Sequence, residues 1–138
     1  MKRVLVGGCF DLIHYGHILF LKKAKEQGDY LIVALESDEN VKRRKGENRP
    51  IHKQSERAEM LRSLRMVDEV VELPTMTGYE EYLAFVKKVK PDVIAVTEND
   101  SQMENKKKQA ENIGGTVVVV SPRLEPHSTS RLVRILEL

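Results

Sequence analysis

The sequence predicts an α/β fold built on a five-stranded parallel sheet. Five short runs rich in apolar and β-branched residues are separated by stretches with helical periodicity. Three of these runs are nearly all apolar, which is typical of central parallel strands covered by helices on both faces. The alternation of strand and helix favours a doubly wound sheet in three layers, α/β/α, with right-handed crossovers.

Strands and helices are predicted in alternation along the whole chain. The strands are expected at residues 3–6, 30–35, 67–73, 92–96 and 116–120. Helices are predicted where apolar side chains recur every three or four positions, or where a polar stretch is bounded by capping residues and glycines. They are one that begins near Gly16 and others at residues 55–64, 79–89, 102–113 and 128–138. We therefore expect one Rossmann-like domain over residues 1–138.

Composition excludes several classes of protein. The 23 Lys and Arg residues nearly balance the 21 Asp and Glu residues, and the net charge of +2 gives no reason to expect binding to nucleic acid. The single cysteine, Cys9, cannot form an internal disulfide. No apolar run approaches the roughly 18 residues of a membrane span, and the N-terminus does not resemble a signal peptide. We expect a cytoplasmic protein without a membrane partner.

The unusual residues follow the first predicted strand. Doubly wound sheets bind ligands beyond the carboxyl ends of their strands. There, Gly7 and Gly8 allow backbone N–H groups to approach a ligand closely. His14 and His17 flank Gly16, where a helix begins, so both imidazoles and the free N–H groups of the helix face the same crevice. This pattern predicts a site that holds a triphosphate and stabilises charge on its α-phosphoryl group.

These residues resemble the nucleotidyltransferase superfamily that carries the HxGH signature, here at residues 14–17. The segment 38–57 is similar to the branch that makes ADP-heptose for lipopolysaccharide core, and length and C-terminal pattern also fit glycerol-3-phosphate cytidylyltransferases. Arg123 followed by residues 128–130 resembles the Arg…Ser-Thr-Thr signature of the family. The resemblance covers practically the whole chain. It implies transfer of a nucleoside monophosphate from ATP or CTP to a small phosphorylated acceptor, with release of pyrophosphate.

The resemblance also implies roles for individual residues. His14, His17 and Lys45 would act in catalysis, and Asp11, Lys45 and Arg65 would lie near the acceptor. The nucleotide would be bound by the two histidines together with Gly8, Cys9, Phe10, Gly16, Asn99, Arg123, Ser128, Thr129 and Ser130. Mg²⁺ would be held mainly by phosphates and water rather than by protein ligands. Relatives are usually dimers, so a homodimer is expected.

Several positions depart from the family pattern or admit another interpretation. Cys9 stands where relatives commonly carry Thr or Ser, and the family's Gly-x-Asp loop is replaced by Thr-Glu-Asn-Asp at residues 97–100. His127 replaces a common aliphatic residue. His14 and His17 could alternatively be metal ligands or an incidental pair, and Cys9 a nucleophile. Residues 42–45 could form a nucleic-acid patch, and residues 106–108 are expected on the solvent side of a helix.

Three functional hypotheses follow. The first is an enzyme, with ATP and a sugar phosphate slightly favoured over CTP with glycerol 3-phosphate, and FMN with ATP third. The second is a nucleotide-binding regulator without turnover, which the altered loop at residues 97–100 permits. The third is a nucleic-acid-binding module, supported only by the basic residues 42–45.

Overall fold

The computed structural model describes residues 1–122 and contains five strands and five helices in that range. In chain order the elements are β1 Arg3–Gly8, α1 Tyr15–Lys25, β2 Tyr30–Leu35, α2 Asp38–Lys45, α3 Gln54–Arg62, β3 Glu69–Glu72, α4 Tyr79–Val89, β4 Val93–Thr97, α5 Met103–Asn112 and β5 Thr116–Ser121. All five predicted strands are present. The predicted helix at residues 128–138 lies outside the described residues.

The five strands form one parallel sheet with the order β3-β2-β1-β4-β5. The register places Arg3 opposite Tyr30 on one side of β1, and Val4 opposite Val93 on the other. The chain therefore builds outward from β1 to β3 and then returns to the other side of β1. The carboxyl ends of β1 and β4 flank the switch point at which a doubly wound sheet binds its ligand.

Helices cover both faces of the sheet, which confirms the three-layer architecture. On one face, Val4 and Val6 pack with α1 and α3 through Phe20, Leu21 and Leu61, which are all buried. On the other face, side chains of alternate strand positions pack with α4 and α5. Apolar residues on both faces are what the near-continuous apolar runs predicted.

Helix α2 was not predicted from the sequence. It begins after Ser37, whose Oγ accepts a hydrogen bond from the Asn40 amide at 3.1 Å. Acidic residues occupy its first turn and basic residues its last, as the helix dipole favours. It ends at Gly46, whose φ of 116° is readily adopted only by glycine. Because α2 buries little besides Asn40 and Val41, its sequence lacks an apolar stripe.

The third strand is shorter than predicted. It spans Glu69–Glu72 rather than residues 67–73. Asp68 lies just before the strand. Its side-chain Oδ2 accepts hydrogen bonds from the Leu31 amide and the Lys25 ammonium. Within residues 1–122, no helix is long and apolar enough to cross a membrane.

Candidate active site

The turn after β1 brings the predicted phosphate-binding segment to the carboxyl edge of the sheet. Phe10 and Leu12 adopt positive φ values of 47° and 55°, so the chain turns sharply between β1 and α1. Phe10 is buried, and a Cβ added at Gly8 would lie 2.9 Å from its ring. A glycine at position 8 therefore lets the Phe10 ring pack against the end of β1.

His14 and His17 cap α1 reciprocally. His14 is the residue before the helix, and its Nδ1 accepts a hydrogen bond from the Gly16 amide at 3.1 Å. The second hydrogen bond of the pair is reciprocal: Nδ1 of His17 accepts from the His14 amide at 3.2 Å. The two ring centroids lie 4.1 Å apart. Two imidazoles thus perform the capping that Ser and Glu perform in an ordinary capping box.

This capping fixes which ring nitrogen is a donor. A nitrogen that accepts a hydrogen bond carries no proton, so Nε2 of His14 and of His17 carries the N–H. Burial, followed by the effects of the nearby His14 and Lys45, lowers the pKa of His17 to about 3. At neutral pH, His17 is therefore an uncharged hydrogen-bond donor through Nε2.

Asp11 is buried and holds the segment that follows α2. Its carboxylate accepts hydrogen bonds from Arg49 Nε at 2.8 Å, the Ile51 amide at 2.7 Å and the His52 amide at 3.1 Å. Burial by itself raises the pKa of Asp11, but these bonds and the Arg49 charge outweigh it, so the pKa lies below its usual value. The predicted acceptor contact by Asp11 stays a prediction, since the structure uses this carboxylate to anchor residues 49–52.

Arg57 was missed by sequence reasoning and is fully buried under the site. Its Nη1 donates to the Cys9 carbonyl at 2.7 Å and its Nε to the His52 carbonyl at 2.9 Å. Its Nη2 donates to Asp38 Oδ1, also at 2.7 Å. One guanidinium thus ties α3 to the turn after β1, to the 49–52 segment and to the start of α2. A charged residue in a polar stretch carries no signal of such burial.

Cationic side chains at the end of α2 reach the same region. Lys45 is exposed, yet its charge acts on both Cys9 and His17. Burial raises the pKa of the Cys9 thiol, although Lys45 and Arg44 oppose this effect. Cys9 is therefore a protonated thiol at neutral pH, which argues against the nucleophile interpretation.

A buried carboxylate lies at the carboxyl end of β2. Glu36 accepts hydrogen bonds from Tyr82 Oη at 3.0 Å and from Asn40 Nδ2 at 3.2 Å, and it pairs with Arg44 at 3.2 Å. Burial and then the Glu36 charge raise the pKa of Tyr82 to about 12. This network, which also escaped sequence reasoning, connects β2 with α2 and α4.

Among the described residues, two cavities open at this edge of the sheet. The larger, of about 340 Å³, lies between the sheet and helices α4 and α5, and Tyr79, Tyr82 and Phe85 line one wall. The smaller, of about 150 Å³, lies between the ends of β1 and β4 and contains Cys9 and His17. Gly7 and Gly8 border both, so the cavities adjoin at the end of β1.

The structure brings most of the predicted residues together, but not all. Gly8, Cys9, Phe10, Gly16 and the two histidines surround the end of β1, and Lys45 acts on them from α2. Asn99 lies at the same edge in the turn after β4, with a φ of 57°. Arg65 is not brought to the site: it follows the end of α3, at the edge where strands begin. Outside the described residues lie Arg123, Ser128, Thr129 and Ser130.

The fold and the site together define a class of protein. A doubly wound parallel sheet places two Nε2 donors, a helix N-terminus and nearby cations at its switch point, which suits phosphate chemistry. Within residues 1–122, no three His, Cys, Asp or Glu side chains are grouped to hold a metal ion. The site is that of a nucleotidyltransferase.

Comparison with known proteins identifies the family. Residues 5–135 match the cytidylyltransferase-like family, and the chain belongs to it. The chain is 44% identical over 137 residues to the FAD synthase of Pyrococcus horikoshii, covering 98% of this chain and 90% of that protein. It is 50% identical over 91 residues to the bifunctional protein HldE of Nitratiruptor sp., but spans 19% of that protein.

A solved structure gives the same result. The lipopolysaccharide core biosynthesis protein from Thermoplasma volcanium superposes with a TM-score of 0.70 and 27% identity, covering 89% of this chain and 97% of that one. The family assignment confirms the nucleotidyltransferase activity expected from the sequence.

Proposed function

We propose that the protein transfers an adenylyl group from ATP to FMN and releases pyrophosphate. The observation that carries this choice of acceptor is the match to an FAD synthase along nearly the full length of both chains. FAD is FMN joined to AMP, so an enzyme that makes it needs a site for a flat aromatic ring system. The larger cavity supports the proposal, since its volume lies in the range of ligand pockets and aromatic side chains line one wall.

The donor phosphates would bind at the end of β1. Groups present there include the amides of the turn after β1, the N-terminus of α1, Nε2 of His14 and His17, and Lys45. The resemblance adds Arg123 and residues 128–130 for the β- and γ-phosphates. Mg²⁺, held by the phosphates and water, would neutralise charge on the triphosphate.

The reaction needs positioning and charge stabilisation rather than a covalent enzyme intermediate. A phosphate oxygen of the acceptor attacks the α-phosphorus of ATP, the bond to the bridging oxygen breaks, and pyrophosphate leaves with the electron pair. Because His17 is neutral with its proton on Nε2, it would donate to the α-phosphoryl oxygens as their charge grows. His17 therefore acts as a hydrogen-bond donor and not as a general base.

A sugar phosphate is the second candidate acceptor. It is supported by the similarity to HldE and to the lipopolysaccharide core biosynthesis protein. The sequence alone favours this acceptor, but this chain spans 90% of the FAD synthase and only 19% of HldE.

A pyrophosphate-release assay separates the candidates. ATP and CTP are each offered with FMN, a sugar 1-phosphate and glycerol 3-phosphate in the presence of Mg²⁺. Release with ATP and FMN, accompanied by FAD, is the expected result. Release with a sugar phosphate and not with FMN would replace the proposal by the second candidate. A homodimer and a cytoplasmic location also belong to the proposal, and mass measurement and cell fractionation test them.

A further inference from the structure

Lys106 occupies the boundary between the two cavities. It lies in the first part of α5, and among the described residues it is the one side chain that lines both the larger and the smaller cavity. Gly7 and Gly8, the other residues common to both, offer backbone only. A ligand that reaches from one cavity into the other must therefore pass beside the Lys106 side chain.

The ammonium group of Lys106 is held in place. Its Nζ donates to Asp100 Oδ2 at 2.7 Å, and Oδ1 of the same carboxylate accepts from the Gln102 amide at 2.7 Å. The two paired side chains are only 24% and 17% exposed. An ammonium carries three N–H donors, so the pair with Asp100 leaves donors for an anion in the cavities.

From this placement we infer that Lys106 is a catalytic residue that contacts the phosphate groups being joined. The inference rests on the proposed function for one point, that the donor phosphates lie in the smaller cavity and the acceptor in the larger. The acceptor phosphate and the α-phosphoryl group then meet at the boundary. Both groups are negative, and a fixed cation between them lowers their repulsion as the P–O–P bridge forms.

Lys106 exchanges no proton in this step. The acceptor oxygen forms the new bond to the α-phosphorus, and the bridging oxygen to the β-phosphorus takes the electron pair of the bond that breaks. Lys106 stays protonated throughout, and Asp100 positions it without touching the substrate. This assignment differs from the sequence expectation, in which residues 106–108 form the solvent side of a helix.

The neighbouring lysine provides a matched control. Lys107 is 54% exposed, pairs with Glu104 at 3.9 Å and lines neither cavity. Lys106→Met and Lys107→Met therefore each remove one positive charge from α5. The first removes it at the boundary between the cavities, and the second removes it away from both cavities. ATP and its non-hydrolysable analogue, the probes in the experiment below, both carry the α-phosphate that Lys106 is proposed to contact.

The experiment measures kcat, the acceptor KM and the affinity for a non-hydrolysable ATP analogue in the wild type and in the Lys106→Met, Lys107→Met and Lys106→Arg variants. Lys106→Met should lower kcat by about 10²-fold. Its affinity for the analogue should fall severalfold, and Lys107→Met should match the wild type in every measurement. Lys106→Arg should recover part of kcat, because the charge returns in a different geometry.

The test of the role of Lys106 can be distinguished from the test of FMN as the acceptor. If the wild type uses another acceptor instead of FMN, the kcat values are compared with that acceptor. The proposal places the phosphate of any acceptor at the same boundary, beside Lys106. Equal kcat in the Lys106→Met and Lys107→Met variants would overturn the role of Lys106 while leaving the activity standing. If the wild type turns over none of the acceptors, equal affinity of the wild type, Lys106→Met and Lys107→Met for the ATP analogue overturns the role of Lys106.

Discussion

At the scale of single residues, buried charge is the main structural feature of the site. Asp11 and Arg49 form an ion pair whose side chains are 0% and 4% exposed. A buried pair is costly to break, because the remaining charge has neither water nor a partner. The pair joins the turn after β1 to the segment after α2. Its loss should therefore lower the free energy of unfolding.

We expect Asp11→Asn to destabilise the protein by about 3–5 kcal/mol, since it leaves the Arg49 guanidinium buried without its counter-charge. Urea unfolding measures the change. Glu104→Gln removes one partner of an exposed pair with Lys107 and should cost less than about 0.5 kcal/mol. Similar losses in the two variants would contradict the assigned role of the Asp11–Arg49 pair.

The neutral state of His17 predicts a pH dependence of stability. Its pKa is about 3 in the folded protein, against 6.5 for an unperturbed histidine. Between these values the unfolded chain binds a proton that the folded chain does not, so stability falls as pH falls below 6.5. The contribution of this one group is at most about 1.4 kcal/mol per pH unit.

His17→Asn should therefore flatten the decline of unfolding free energy between pH 6 and pH 4, measured by urea titration at each pH. Asp11 loses stabilisation in the same direction as it is protonated, but in both proteins, so it cancels in the comparison. An unchanged slope in the variant would show that His17 titrates normally in the folded protein.

At the scale of elements, the last turn of α2 places cationic side chains near the site. Lys45 should therefore matter for phosphates but little for folding. We expect Lys45→Ala to raise the KM for ATP or for the acceptor by about tenfold, the loss of one charge-assisted hydrogen bond. Unfolding free energy should change by less than about 0.5 kcal/mol, because the residue is exposed.

Lys42→Ala provides the control for Lys45→Ala. Lys42 lies on the same helix, is 51% exposed and pairs with Glu47 at 3.4 Å. Its substitution should leave both KM values unchanged. If the two variants showed equal kinetic constants at low and high salt, Lys45 would have no part in phosphate binding.

The strands and the site differ in how far the sequence predicts them. Buried parallel strands are nearly all apolar, so their positions follow from local composition. The capping histidines are also local, because His14 and His17 are three residues apart. Arg49 and Arg57, by contrast, find their partners 38 and 48 residues away, at Asp11 and at the Cys9 carbonyl. No local pattern distinguishes such buried arginines from those on a solvent-facing surface.

Helix α2 shows the same limit at the level of an element. Its eight residues, Asp38–Lys45, bury only Asn40 and Val41, and the hydrophobic periodicity that marks other helices is missing. The cap by Ser37 and the ordered charges along the helix were the available signals. They are weaker than an apolar stripe, so the sequence indicates a basic run at residues 42–45, with a phosphate-binding role for Lys45, but not a helix.

At the scale of the whole molecule, the topology concentrates function at one edge. The turns after β1, β2 and β4 all lie at the carboxyl edge of the sheet, and both cavities open there. His17, Lys45 and Lys106 come from three different helices; His17 and Lys106 line the smaller cavity, and the charge of Lys45 acts on His17. Binding and catalysis should therefore be separable by substitution at this edge.

His17→Ala should damage turnover more than binding. The donor at Nε2 is worth most when charge develops on the α-phosphoryl oxygens, so kcat should fall by about 10²–10³-fold. Calorimetry with a non-hydrolysable ATP analogue should show a loss of about 1 kcal/mol, the value of one ordinary hydrogen bond. Lys23→Ala, an exposed change on the same helix, should match the wild type in both measurements. Near-normal kcat in His17→Ala would remove His17 from the mechanism.

The most direct test of the central claim is the product analysis of the wild-type protein with ATP, FMN and Mg²⁺. The proposed chemistry predicts FAD and pyrophosphate in equal amounts, with both nearly abolished in His17→Ala. Tight binding of ATP without release of pyrophosphate, for FMN and for every other phosphorylated acceptor offered, would contradict the claim. That result would identify the protein as a nucleotide-binding regulator built on a nucleotidyltransferase fold.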